Sequence, residues 1–260
     1  MSLETVLTES KDGIGTLTLN RPDVRNALNP TMIREIDAAL RAFDGDAQVR
    51  VVLVRGAGDR AFCAGADLKA VAGHASTLEA REHFGGIAMI LEAMARMRKP
   101  IIAQVHGYAL AGGCGLAAGC DLVVASEDAV FGLPEIKVGL LPLIVMAPIL
   151  RSVGRKRGLL MVLSGDQISA RDAYEMGLVS LLVPREQLES KARELAEKLA
   201  GYSPSALALA KEGFVTMQDM DYGKSLRYLR ELSTLVALSD DAKEGIAAFF
   251  EKRRPRWTGR

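Results

Sequence analysis

The segment that most limits the fold lies between residues 101 and 125. Two short apolar runs, 101–106 and 122–125, bracket Gly107 to Asp121, which holds five glycines and no Lys or Arg among its fifteen residues. An apolar run that opens into glycines, then small helix-compatible residues, then a second apolar run, reads as strand, turn, helix and strand. Glycines at the opening of a buried helix leave its first N–H groups free, and the helix dipole adds to their pull on negative charge. That charge is either a bound phosphate or an oxyanion that arises during reaction. The GxxxxGKS pattern of a nucleotide cradle is absent, which argues against the phosphate.

Other parts of the chain repeat this arrangement. Residues 14–19 alternate like an early strand, 49–54 form a nearly continuous apolar run, and Val130-Phe131 runs into Gly132. Asn29 with Pro30 starts a helix that carries Ile33, Ile36, Leu40 and Phe43 at helical spacing. A second amphipathic helix spans 78–98, with Ile87, Leu91, Met94 and Met97 on one face, and Pro100 ends it. Strand, glycine turn and helix in alternation imply an α/β core with crossover connections and ligands beyond the strand ends. From Arg155 onward the pattern is helical, at 157–163, 169–176, 185–200, 204–217, 222–238 and 240–253, with Ser169 and Asp172 at capping-box spacing. The expected division is a core over 1–200 and a helical region over 201–260. No low-complexity linker separates the two, so the helices should pack on the core or on a neighbouring subunit.

The 33 Lys and Arg against 32 Asp and Glu give a net charge of +1, which excludes nucleic acid as the main partner because that role needs a cationic excess. Three cysteines without a CxxC suggest neither a disulfide framework nor a zinc site. Charges interrupt every apolar stretch before membrane-spanning length, and the N-terminus lacks a leader pattern. The expectation is therefore a soluble cytoplasmic protein. No HxH or HExxH spacing exists among His74, His83 and His106, so no metal is expected. His106 should hydrogen-bond a neighbouring loop, and His74 and His83 fall in or near the helix at 78–98.

Two more segments carry chemistry. Residues 61–69 follow a buried strand and are small enough for a ligand to approach the backbone. Glu135 stands in Gly-Leu-Pro-Glu among Val130, Phe131, Leu133, Ile136 and Val138, and such apolar surroundings should raise its pKa toward a range useful for proton transfer.

Six ordered motifs now coincide: Arg21-Pro22 through Arg25-Asn26-Ala27-Leu28, Ala61 to Leu68, Gly107 to Cys120 with Asp121, Phe131-Gly132-Leu133-Pro134-Glu135, Leu163-Ser164-Gly165 through Gly177-Leu178-Val179, and Lys243-Glu244-Gly245 to Glu251-Lys252-Arg253. Together they resemble the crotonase, or enoyl-CoA hydratase/isomerase, superfamily over nearly the whole chain. The resemblance implies an α/β spiral of ββα repeats of the ClpP/crotonase type, with C-terminal helices that build a homotrimer or a dimer of trimers and cover the CoA. It implies an acyl-CoA thioester as substrate, with coenzyme A part of that substrate and no separate cofactor. By motif position the thioester oxygen would meet the N–H groups of Ala66 and Gly112, and Glu135 would be the acid/base. Arg25, Ala27, Ala64, Asp67, Leu68, Lys69 and, from a neighbouring subunit, Lys252 would bind the CoA portion. Leu140, Pro142 and Leu143 would wall the acyl pocket.

The chain also departs from the superfamily's patterns. Relatives that hydrate with two carboxylates carry a second Glu where this chain has Gly115, and those that use an Asp eight residues after the Glu135 position meet Leu143 here. The resemblance thus favours double-bond migration by a single carboxylate over simple hydration. A catalytically weak acyl-CoA scaffold is the alternative. A serine peptidase of the same spiral fold is excluded, because no Ser stands beside the oxyanion glycines with a matching His.

Overall fold

A computed structural model describes residues 3–73 and 75–260, so His74 lies outside the described residues. The chain enters as an antiparallel hairpin, β1 (Val6–Lys11) and β2 (Ile14–Leu19), turned by Asp12 and Gly13 with positive φ. Helix α1 (Pro30–Gly45) starts as expected, with the Asn29 side chain accepting from Met32 N–H at 2.8 Å. Three turns of the spiral follow. The first is β3 (Val51–Gly56), β4 (Ala61–Cys63), α2 (Leu68–Ala72) and α3 (Thr77–Arg96). The second is β5 (Ile101–Val105), β6 (Tyr108–Leu110) and α4 (Gly112–Gly119). The third is β7 (Leu122–Ser126), β8 (Val130–Gly132), α5 (Met146–Ser152) and α6 (Arg155–Ser164), with a single 3₁₀ turn at Pro134–Val138 between β8 and α5.

Each turn gives one strand to each of two sheets. Strands β3, β5 and β7 lie parallel beside β2, in register Val52↔Ile101 and Ile102↔Leu122. Strands β4, β6 and β8 form the parallel part of a smaller sheet, through Ala61↔Tyr108 and Leu110↔Gly132. Strand β9 (Gln167–Ser169) closes the small sheet antiparallel to β8, and β10 (Leu181–Val183), after α7 (Ala170–Glu175), extends the large sheet beside β7. Phe62, Phe131, Leu133, Ile101 and Met94 are buried in the main core. A second core forms where Leu188, Ala192 and Ala196 of α8 (Leu188–Ala200) cover Ile14, Val51, Leu53, Ile102 and Val124. This is the spiral of ββα repeats that the resemblance implied, built on the α/β core with crossover connections that the glycine-turn pattern pointed to.

Helices α9 (Pro204–Met217), α10 (Tyr222–Leu238) and α11 (Asp240–Phe250) complete the chain. The helix expected over 240–253 ends at Phe250, because Lys252 takes a positive φ and the chain turns back. The returning tail is pinned by Asp241, whose buried carboxylate accepts from Ser203 Oγ at 2.6 Å and from Thr258 N–H at 2.6 Å. Burial alone would push that carboxyl up, but hydrogen bonds from Ser203, Thr258 and Gly259 hold it below the ordinary range. Among the described residues no helix is long and apolar enough to cross a membrane.

Candidate active site

Two backbone segments meet at the mouth of α4. Ala111 adopts φ 52 and ψ −125, and its N–H donates to Gly132 O at 2.9 Å. A positive φ at a residue with a Cβ is held only when the surroundings fix it. Here β8 fixes it, and the sharp turn starts α4 at Gly112 with no side-chain cap over its first N–H groups. Against this turn lies Gly65, with φ 95; a Cβ there would sit 2.5 Å from Ala111 Cβ, so only glycine permits the approach.

Ala66 follows in a short parallel bridge to Leu28. Leu28 N–H donates to Gly65 O at 2.7 Å, and Asp67 N–H donates to Leu28 O at 2.9 Å. Those bonds use the groups on either side of Ala66 and leave its own N–H on the opposite face of the strand. The position a Cβ would take on Gly112 is 3.6 Å from Ala66 N, which brings the two backbones together. Among the described residues neither the Ala66 nor the Gly112 N–H donates to another group of the chain.

Glu135 is the second residue of the 3₁₀ turn that leaves β8, and Leu140 N–H closes the segment by donating to Glu135 O at 3.0 Å. The side chain is half-buried, and its Oε2 is buried without a hydrogen-bond partner among the described residues. Burial raises its carboxyl above the ordinary range, opposed only by a backbone hydrogen bond. Its charge reaches Cys114, two residues into α4 from Gly112. That thiol is pushed up to about 12, chiefly by burial, with Glu135 adding to the shift. The thiol is therefore inert at neutral pH.

One turn along α4, Gly115 faces Val145. A Cβ on Gly115 would lie 2.2 Å from Val145 Cγ1 and 2.4 Å from Val145 Cβ. Val145 itself is buried.

The residues expected on the CoA side gather around Ala66. Ala64 N–H donates to Arg25 O at 2.9 Å, and the Arg25 guanidinium stands 5.7 Å from the Tyr108 ring centroid. Asp67 caps α2 by accepting from Lys69 N–H at 3.1 Å. Its other oxygen takes a two-pronged ion pair from Arg21 at 3.1 Å, and Arg21 also donates to Ala27 O. Arg21 is the residue that sequence reasoning missed. The Arg-Pro pair was visible, but nothing in it showed that the side chain would tie the Ala27 and Asp67 segments together. Leu68 and Lys69 are exposed on α2. Lys252 stands apart at the end of α11 and makes no ion pair with this group among the described residues.

In the apolar segment Pro142 is buried, Leu140 is half-buried and Leu143 is 63% exposed, while Val145 and Ile149 further along are buried in the main core. His106 is buried at the end of β5. Its ring bonds to the Gly58 backbone, in the loop between β3 and β4, and burial, with Arg185 adding, lowers its pKa. No cluster of three or more His, Cys, Asp or Glu able to hold a metal exists among the described residues.

Known proteins share both the fold and the sequence. The family model described as Enoyl-CoA hydratase/isomerase matches residues 9–260. A probable enoyl-CoA hydratase of Rhizobium meliloti is 40% identical over 264 residues, covering 100% of both chains. The 2,3-dehydroadipyl-CoA hydratase of Escherichia coli is 41% identical over 247 residues, 94% of each. The enoyl-CoA hydratase structure from Mycobacterium smegmatis superposes with a TM-score of 0.94 at 34% identity, covering 98% of this chain and 99% of that one. The Bacillus anthracis enoyl-CoA hydratase gives 0.94 at 34%, covering 99% and 100%. Agreement over the full length makes this a crotonase-fold protein. It belongs to the enoyl-CoA hydratase/isomerase family of acyl-CoA enzymes.

Proposed function

We propose that this chain is an enoyl-CoA isomerase-type enzyme that moves a double bond through a thioester enolate, with Glu135 as its single acid/base. The observation that carries the reading is the presence of two N–H groups, on Ala66 and Gly112, and a buried Glu135 carboxylate oxygen, all without a partner among the described residues. Removing a proton from C2 of an acyl thioester pushes charge onto the carbonyl oxygen. Donors already aimed at that oxygen cost no reorganisation, and each is worth about 3–4 kcal/mol. The N-terminus of α4 adds its dipole at the same point.

Glu135 takes the C2 proton as a carboxylate and returns it at C4 as the acid. Adding water would in addition require a group to orient and deprotonate that water, and position 115 offers no side chain for it. The relatives described above are hydratases by name, so the reaction must be read on the protein itself. Arg25 and Lys69 supply charge for the CoA phosphates, Asp67 holds the segment through Arg21, and Lys252 acts on the site of a neighbouring copy in a trimer or dimer of trimers.

The test is a panel of β,γ- and α,β-enoyl-CoA thioesters followed separately for migration, hydration and deuterium exchange at C2. Migration and exchange faster than hydration are expected. Tight acyl-CoA binding without exchange at C2 would favour the scaffold reading instead.

A further inference from the structure

We propose that Val145 decides between migration and hydration in this pocket, by filling the space that a side chain at position 115 would need. The proposal rests on the reading of Glu135, Ala66 and Gly112 given above. Helical side chains tilt toward the N-terminus and lie over the preceding turn. A side chain at 115 would therefore extend back along α4 toward Gly112, three residues earlier on the same face. That path is closed, because Val145 Cγ1 stands 2.2 Å from the Cβ position, Val145 Cβ 2.4 Å and Val145 Cα 3.3 Å.

Val145 is held firmly in that place. It is buried, it sits in a helical conformation just before α5, and Ile149 N–H donates to its carbonyl at 3.4 Å. Met146 N–H, donating to Pro142 O at 2.9 Å, secures the turn ahead of it. The segment cannot simply slide away from α4, since buried Ile149 anchors the next turn in the main core. The side chain opposite Gly115 is thus apolar and cannot itself orient a water molecule. An isomerase gains from that, because water near the enolate competes with return of the proton.

The distances also grade the substitutions. Alanine at 145 would remove Cγ1 but leave Cβ at 2.4 Å, so Val145→Ala should not admit a residue at 115; glycine should, with only Cα left at 3.3 Å.

The experiment compares the parent, Gly115→Glu, Gly115→Glu with Val145→Ala, and Gly115→Glu with Val145→Gly. The readouts are Tm and the ratio of hydration to double-bond migration. Gly115→Glu alone and with Val145→Ala should lose thermal stability and gain no hydration. The pair with Val145→Gly should recover Tm and raise the ratio at least tenfold. A stable Gly115→Glu protein that hydrates on its own, or a folded Val145→Gly pair with the parent's ratio, would overturn the proposal. Should the glutamate pair not fold, Gly115→Ala with and without Val145→Gly reads the same fit, and equal loss of Tm in both overturns it. Absence of C2 exchange in the parent would instead remove the underlying reading of Glu135, while the Tm comparison would still report on Val145.

Discussion

Lys211 and Asp121 are 90 residues apart in the chain and form an ion pair of 2.8 Å. The Asp121 oxygen in that pair also accepts from Ile101 N–H at 2.7 Å, so one carboxylate ties α9 to the start of β5. The Lys211 side chain is only 7% exposed, and its ammonium donates as well to Lys99 O. Burial raises the Asp121 carboxyl, and Lys211 pulls it back only in part. The Asp121 side chain keeps 25% of its surface exposed, so removing Lys211 leaves a carboxylate that water still reaches, and the loss is that of a hydrogen bond to a charged group, on the order of 1–2 kcal/mol. Lys211→Met should therefore lower stability by about that amount in denaturant titration. An unchanged midpoint would show that α9 is held by packing alone.

The helices were legible in the sequence where an apolar stripe met a cap, as in α1 with Asn29 and α7 with Ser169 and Asp172. The short strands were not. Strand β1 buries only Val6 and exposes the other five residues, so it carries no alternation to read. Strands β4 and β6 have three residues each and exist because neighbouring turns of the spiral align them. Helix α5 only begins in the apolar run 140–148 and continues to Ser152, and periodicity over so short a run cannot separate a helix from a wall. Gly112, Ala66 and Glu135 could be named from motif positions. The filling of the Gly115 face by Val145 could not, because it depends on where a distant segment packs.

Gly112→Val tests the paired N–H groups. A Cβ at this position would meet Leu28 Cδ1 at 3.3 Å and Ala66 N at 3.6 Å, contacts that the fold can absorb with small shifts. A branched side chain would nevertheless lie where the proposed site places the thioester oxygen. Turnover should fall by roughly 100- to 1,000-fold or more, with the circular dichroism spectrum retained. Near-parental turnover would remove Gly112 from the site.

The outer faces of α10 and α11 give a prediction about assembly. Leu232 is buried against α9, but Tyr222, Leu238, Phe249 and Phe250 are 80%, 68%, 79% and 78% exposed in the single chain. Apolar surface of that extent is rarely left to water in a monomer. Light scattering at micromolar concentration should give a trimer or hexamer, and Phe249→Glu with Phe250→Glu should shift it to smaller species. A parental protein that is monomeric would leave these helices without the partner proposed for them.

Glu135 joins activity to pH with a definite sign. Its carboxyl is raised from the model-compound value of 4.5 because burial disfavours the charged form. In the role proposed for Glu135, exchange at C2 needs the carboxylate, so its rate should fall about tenfold per pH unit below the raised pKa and level off above it. Stability runs the other way. A carboxyl whose folded pKa exceeds its unfolded value contributes stability below the unfolded value, and loses it as pH rises through the folded one. Glu135→Gln should therefore lower C2 exchange by roughly 100- to 10,000-fold, keep acyl-CoA affinity, and raise Tm relative to the parent at neutral pH. The gain in Tm should vanish in acid, where the parent's carboxyl is already neutral. Parental exchange in Glu135→Gln would assign the proton transfer to another group, and a Tm difference independent of pH would separate the stability effect from the titration of this residue.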